Sequence, residues 1–129
     1  MDPSAVATLL AGGRAREALM LARQGAAAHP GDASWQHLLG ASLHANGESE
    51  AALPPLREAV RIAPADPIAW NTLGAVLVES GETEAGESAL AEALRLRPGY
   101  PEALFNLALA RKQRGEFESA KDLLAGLTR

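Results

Sequence analysis

Prolines at 30, 64 and 98 punctuate the chain every 34 residues, and that period constrains its fold more than any other feature. Glycines at 47, 81 and 115 keep the interval, as do Leu39, Leu73 and Leu107, then Leu56, Leu90 and Leu124. Two further columns hold only small residues: Gly40, Gly74 and Ala108 in one, Ala52, Gly86 and Ala120 in the other. Agreement among so many independent columns identifies an internal repeat. A chain of this kind stacks copies of one supersecondary unit, because a single copy has too little apolar surface to stand alone.

Within each unit the glycine separates two helical patterns, since Gly supplies the left-handed conformation that ends a helix. The proline then ends the second helix. In the stretch APADPIAW, residues 63–70, Pro64 cannot continue one helix, Asp66 is the expected N-cap and Pro67 suits the first position of the next. Asp32 serves the same way one unit earlier, whereas Tyr100 takes that place before Pro101 and its ring is a poor cap. Small residues such as Gly40 and Ala52 let paired helices approach to about 8 Å while leucines fill the space around them. Glutamates in GESE, GETE and GEFE begin each second helix, where they favour the positive end of the dipole over any paired-carboxylate catalysis.

A 34-residue helix-turn-helix carrying WNTLGAVL at residues 70–77 strongly resembles the tetratricopeptide repeat. Trp70, Leu73, Gly74 and Leu77 match its first helix, and Leu90, Ala93 and Pro98 its second. The preceding unit matches at Leu39, Gly40, Leu43, Ala52, Leu56, Ala59 and Pro64, with Trp35 displaced by one residue; the last matches at Leu104, Leu107, Ala108, Gly115, Ala120 and Leu124. A truncated first unit shows as Leu9, Gly13, Ala18 and Pro30. The resemblance implies an all-α, right-handed superhelix of stacked antiparallel helix pairs. It would be one domain of about four repeats, near 1–32, 33–66, 67–100 and 101–129, with a concave face lined mainly by first helices.

Several positions depart from the pattern. Pro54 and Pro55 fall near the start of a second helix and predict a late or bent start. Gly86 lies inside a helix, at a cost of about 1 kcal/mol relative to Ala unless close packing offsets it. Arg111 stands in the column of Leu43 and Leu77, which predicts a less buried last unit. Nothing follows Leu123, Leu124 and Leu127 to cover their helix, so either the array continues in a longer chain or this end self-associates into a homo-oligomer.

The resemblance directs His37, Ala41, His44 and Ala45 toward the groove, with Ile68, Asn71, Thr72, Ala75, Val78 and Glu79 from the third unit. The fourth contributes Glu102, Phe105, Asn106, Leu109, Lys112 and Gln113. Such a mixed apolar and amide surface suits an extended peptide, with Asn71 and Asn106 bonding its backbone while Val78, Phe105 and Leu109 meet its side chains. The basic clamp by which some family members hold a partner's C-terminal carboxylates is missing, because its columns carry Ile68, Thr72, Glu102 and Asn106. Chaperone-tail binding is therefore not expected. An asparagine ladder like that of peptide O-GlcNAc transferases is only hinted at, since Asn71 and Asn106 are 35 apart and miss the register.

Other chemistry finds little support. With no cysteine, thiolate metal sites, disulfides and thiol nucleophiles are excluded. His37 and His44 are seven apart, about 10.5 Å along a helix axis, too far to share one metal directly. His29 reads as a last-turn residue, Ser49, Ser80 and Ser88 have no triad-like partners, and the glycines of AGGR and PGD lack a phosphate-loop signature. Trp35 and Trp70 read as packing against the preceding unit. Interspersed charges summing to -4 argue against nucleic-acid or membrane partners. The start, MDPSAVATLLAGGR, lacks the basic region of a secretory signal, and no apolar run nears the roughly 20 residues of a membrane span, so a soluble cytoplasmic protein is expected. The leading expectation is a non-catalytic interaction module without cofactor that binds a protein or peptide in its groove. Two others stand beside it: the substrate-recruiting region of a larger transferase, and a scaffold self-associating through its last helix.

Overall fold

The glycine and proline columns become helix boundaries. The computed structural model describes residues 2–128 and contains eight α-helices among them: α1 Pro3–Ala11, α2 Ala15–Ala28, α3 Ala33–Ala45, α4 Ser49–Ile62, α5 Pro67–Glu79, α6 Thr83–Leu96, α7 Pro101–Gln113 and α8 Phe117–Ala125. A 3-10 turn, Gly126–Thr128, follows, and no strand occurs among the described residues. Gly13, Gly47, Gly81 and Gly115 have φ of 75, 80, 90 and 79°, a region where a side chain would cost about 1–2 kcal/mol. Asp2, Asp32 and Asp66 cap α1, α3 and α5, accepting from the backbone N–H of Ser4, Ser34 and Ile68 at 2.9, 2.8 and 3.0 Å. Tyr100 makes no such bond; its ring is buried under the Arg97 guanidinium, 4.6 Å from the centroid.

The late start expected for α4 does not occur. The second helices begin at Ala15, Ser49, Thr83 and Phe117, all in register, and Pro54 and Pro55 lie inside α4. The turn at Gly47 sets the start, and burial of Ala52, Leu53 and Leu56 holds the helix despite two missing donors.

The chain divides at the Pro64 break into two compact units, Met1–Pro64 and Ala65–Arg129. In the first, α1, α2 and α3 enclose Val6, Ala18, Ala22, Ala26 and Trp35. Its α3 and α4 meet at Gly40, where a Cβ would lie 2.4 Å from Leu56 Cγ. In the second, α5, α6 and α7 enclose Val78, Leu90, Ala93, Tyr100, Ala103, Leu107 and Ala110, with Trp70 and Leu123 packed against them. A Cβ on Gly74 would lie 2.6 Å from Leu90 Cγ, and one on Gly86 2.5 Å from Val78 Cγ2 and 2.9 Å from the Gly74 carbonyl oxygen. That approach supplies the close packing that offsets a glycine inside α6.

Candidate functional site

Asn71 sits in the second turn of α5 and Asn106 in the second turn of α7, on helices that lie side by side. Asn106 Nδ2 donates to Asn71 Oδ1 at 3.0 Å. The one-residue slip from the repeat register does not part the two amides. Asn71 is buried and Asn106 half-buried, so the pair is partly withdrawn from water. Behind it, burial first and the Glu102 charge second push the Tyr100 phenol above its ordinary value, opposed by Arg97 and by a hydrogen bond with Asn71. In front lies an open cavity of about 410 Å³ lined by Asn71, Pro101, Glu102, Phe105, Asn106 and Leu127. Phe105 is 50% exposed and Leu109, one helical turn on, 41%. Apolar side chains that leave this much area in water beside an ordered amide pair offer both adhesion and direction to a ligand.

The other groove candidates fall into three groups. Glu79 and Lys112 are exposed, while Ala75 is half-buried. Thr72 is half-buried and its Oγ1 donates to the Ile68 carbonyl at 3.0 Å, within its own helix. Val78 is a correction: it faces Gly86 and the core, 6% exposed, and presents nothing to a ligand. His37, Ala41 and His44 lie half-buried on α3 of the first unit, where His44 Nδ1 is 3.1 Å from Ser49 Oγ, across the α3–α4 turn. His29 stacks on Trp35 with 6.4 Å between centroids. No group of three His, Asp or Glu residues among the described ones could hold a metal ion.

Of the three leucines expected at a self-associating end, Leu123 is half-buried and packs against the second unit's core. Leu124 and Leu127 remain 40% and 38% exposed.

The role of Arg111 was not foreseen from its column. Its Nη1 donates to Ser119 Oγ at 2.6 Å and its Nε lies 3.3 Å from Glu87 Oε1, while Arg114 Nη1 donates to Glu87 Oε2 at 2.9 Å. One carboxylate on α6 thus receives two guanidiniums from the end of α7, and Arg111 also reaches α8. A readable signal did exist: Leu19 and Leu53 precede Glu87 at the 34-residue interval, as Leu43 and Leu77 precede Arg111. Two leucine columns change together into opposite charges, which is what a compensating contact requires.

Two family models, both described as tetratricopeptide repeat, match residues 6–67 and 77–129. No curated protein sequence matches the chain. Among solved structures, TTC0263, a thermophilic TPR protein in Thermus thermophilus, superposes with a TM-score of 0.86 at 25% identity, over 98% of this chain and 73% of that one. MamA from Desulfovibrio magneticus RS-1, residues 41 to the end, gives 0.85 at 22% over 98% and 74%. YrrB, described as a TPR protein with an unusual peptide-binding site, gives 0.83 at 22%, over 95% of this chain but only 63% of its own. These likenesses show the fold, an all-α solenoid of helix pairs. No helix among the described residues is long and apolar enough to cross a membrane.

Proposed function

The chain belongs to the tetratricopeptide-repeat family, and from that premise we propose that it is a non-catalytic module binding a peptide or protein segment on the α5 and α7 face of its second unit. The observation that carries this is the half-exposed Phe105 beside the Asn71–Asn106 pair over an open cavity. An extended backbone could bond the free amide groups of Asn106 while one of its side chains covers Phe105 and Leu109. Glu79 and Lys112, both exposed, would set preferences among charged ligands. YrrB's description as peptide-binding agrees with this reading. The test is selection of displayed peptides on the purified chain, followed by affinities for Phe105→Ala and Asn106→Ala. Each should bind at least about tenfold more weakly with an unchanged helical spectrum. Full affinity in both would place binding elsewhere.

A second reading, self-association through α8, is favoured by one column. Leu56 and Leu90 are 0% exposed, whereas Leu124, next at the same interval, is 40% exposed. A light-scattering mass that rises with concentration, and falls to the monomer in Leu124→Lys, is expected; a monomer throughout would dismiss it.

A further inference from the structure

The outward face of α2, in the first unit, carries Arg16, Met20 and Arg23 at intervals of four and three residues, with Arg16 and Met20 exposed, Met20 at 65%. They line a cavity of about 380 Å³ with Leu19, Asn46 and Glu48. Its floor is fixed. Asn46 directs both N–H groups inward, Nδ2 donating to the carbonyls of Ala15 at 2.8 Å and Ser42 at 2.7 Å, which ties the α3–α4 turn to the start of α2. Its remaining polar atom, Oδ1, is an acceptor.

Arg16 is anomalous against the chain's own pattern. It occupies the second position of α2, and the same position of α4, α6 and α8 holds Glu50, Glu84 and Glu118. A carboxylate there favours the positive end of the helix dipole and a guanidinium opposes it, so helix stability does not account for Arg16. Nor does pairing: neither Arg16 nor Arg23 joins an ion pair among the described residues, the nearby Glu17 being taken by Arg14 at 2.5 Å. A local rule broken with no compensating contact points to recognition.

We propose that this cavity docks an acidic helical segment of a partner protein, with two carboxylates seven residues apart and a large apolar side chain between them. Seven residues span about 10.5 Å along both helices, so each carboxylate meets one arginine while the apolar group covers Met20 and Leu19. The inference is independent of the α5 and α7 reading, since it uses other residues in the other unit.

The test is fluorescence anisotropy with a labelled alanine-based helix bearing glutamates seven residues apart and a leucine three residues after the first, in about 0.05 M salt to limit screening. Saturable binding is expected, lost on replacing the peptide's glutamates by glutamine. Arg16→Glu should weaken it by about tenfold or more, for loss of one charge-assisted pair. This variant installs the residue of the other three helices, so it folds at least as well, and an unchanged or higher Tm in the same preparation shows that the loss is one of recognition. Met20→Ser should weaken binding severalfold, and Phe105→Ala should leave it unchanged. No saturable binding, equal binding of the glutamine peptide, or indifference to Arg16→Glu would overturn the proposal. So would inorganic phosphate binding with the same Arg16 dependence while the peptide does not bind.

Discussion

Within each unit two helix pairs meet across a second helix and the next first helix, α2 and α3 in one unit, α6 and α7 in the other, and the two contacts are filled in opposite ways. In the first, Gly25 faces Trp35, whose ring is buried at 2% exposure. The same register in the second unit holds Ala93 and Ala103, both buried in one core cluster with Tyr100, against which Trp70 packs. One solution concentrates volume in one indole over a glycine, and the other spreads it over several side chains. The backbone frame is shared and the distribution of volume is free, provided the total closes the gap. Trp35 is displaced by one residue from the Trp70 column, and that shift is what turns its ring fully inward while Trp70 stays half-buried.

The sharpest way to break this comparison is to put the second unit's alanine into the first. A Cβ on Gly25 would lie 2.1 Å from Trp35 Cε3, and a buried indole has little room to yield. Gly25→Ala should destabilise by about 3 kcal/mol, the upper end for overpacking. Adding Trp35→Ala, which copies both alanines, should couple favourably with it, the double variant losing at least about 1 kcal/mol less than the sum of the singles. Urea denaturation of the four proteins measures both. Additive losses would mean that the glycine and the indole are not one contact.

The next difference is polar. Ser42 is 0% exposed and its Oγ has no hydrogen-bond partner among the described residues, whereas the same register holds Val76 and Ala110 in the second unit, both 0% exposed. An unsatisfied buried hydroxyl costs about 1–3 kcal/mol, so Ser42→Ala should raise stability by about 1 kcal/mol, read as a higher denaturation midpoint at unchanged slope. A loss on that substitution would show that the hydroxyl contributes what no bond in the first unit accounts for.

Helix boundaries, caps and close-packed glycines were legible because each depends on one residue type at a fixed interval: Asp66 accepts a backbone N–H, Gly47 takes positive φ, and Gly74 admits Leu90. The pairing of Asn106 with Asn71 was obscured, because amide reach tolerates a one-residue slip that register matching rejects. Val78 was misassigned to the groove for a related reason. A first-helix position follows from sequence, but whether its side chain turns out or in depends on the neighbour, here Gly86, whose missing Cβ makes the space. The Arg111 column by itself indicates only a less buried last unit, because the partner, Glu87, lies 24 residues back, beyond any spacing rule for one helix. The Met20 cavity was missed because its arginines look like an ordinary solvated face until the other second helices are compared at the same position.

The smallest expected effect separates the units by pH. The chain's one tyrosine is in the second unit. Burial, then the Glu102 charge, hold the Tyr100 phenol above 10.0, so the unfolded chain gives up that proton first as pH rises. The neutral phenol's contribution is therefore complete below about pH 10, the unfolded value, and is lost as pH climbs through the folded one. Tyr100→Phe cannot ionise. Its stability should therefore fall less between about pH 9 and 11 than that of the unaltered chain. Arginine and lysine titrations are common to both proteins and cancel in the difference. Parallel curves would mean that the phenol stays as well solvated as in the unfolded chain, and that the second unit fills its helix contact less tightly at Tyr100 than the first does at Trp35.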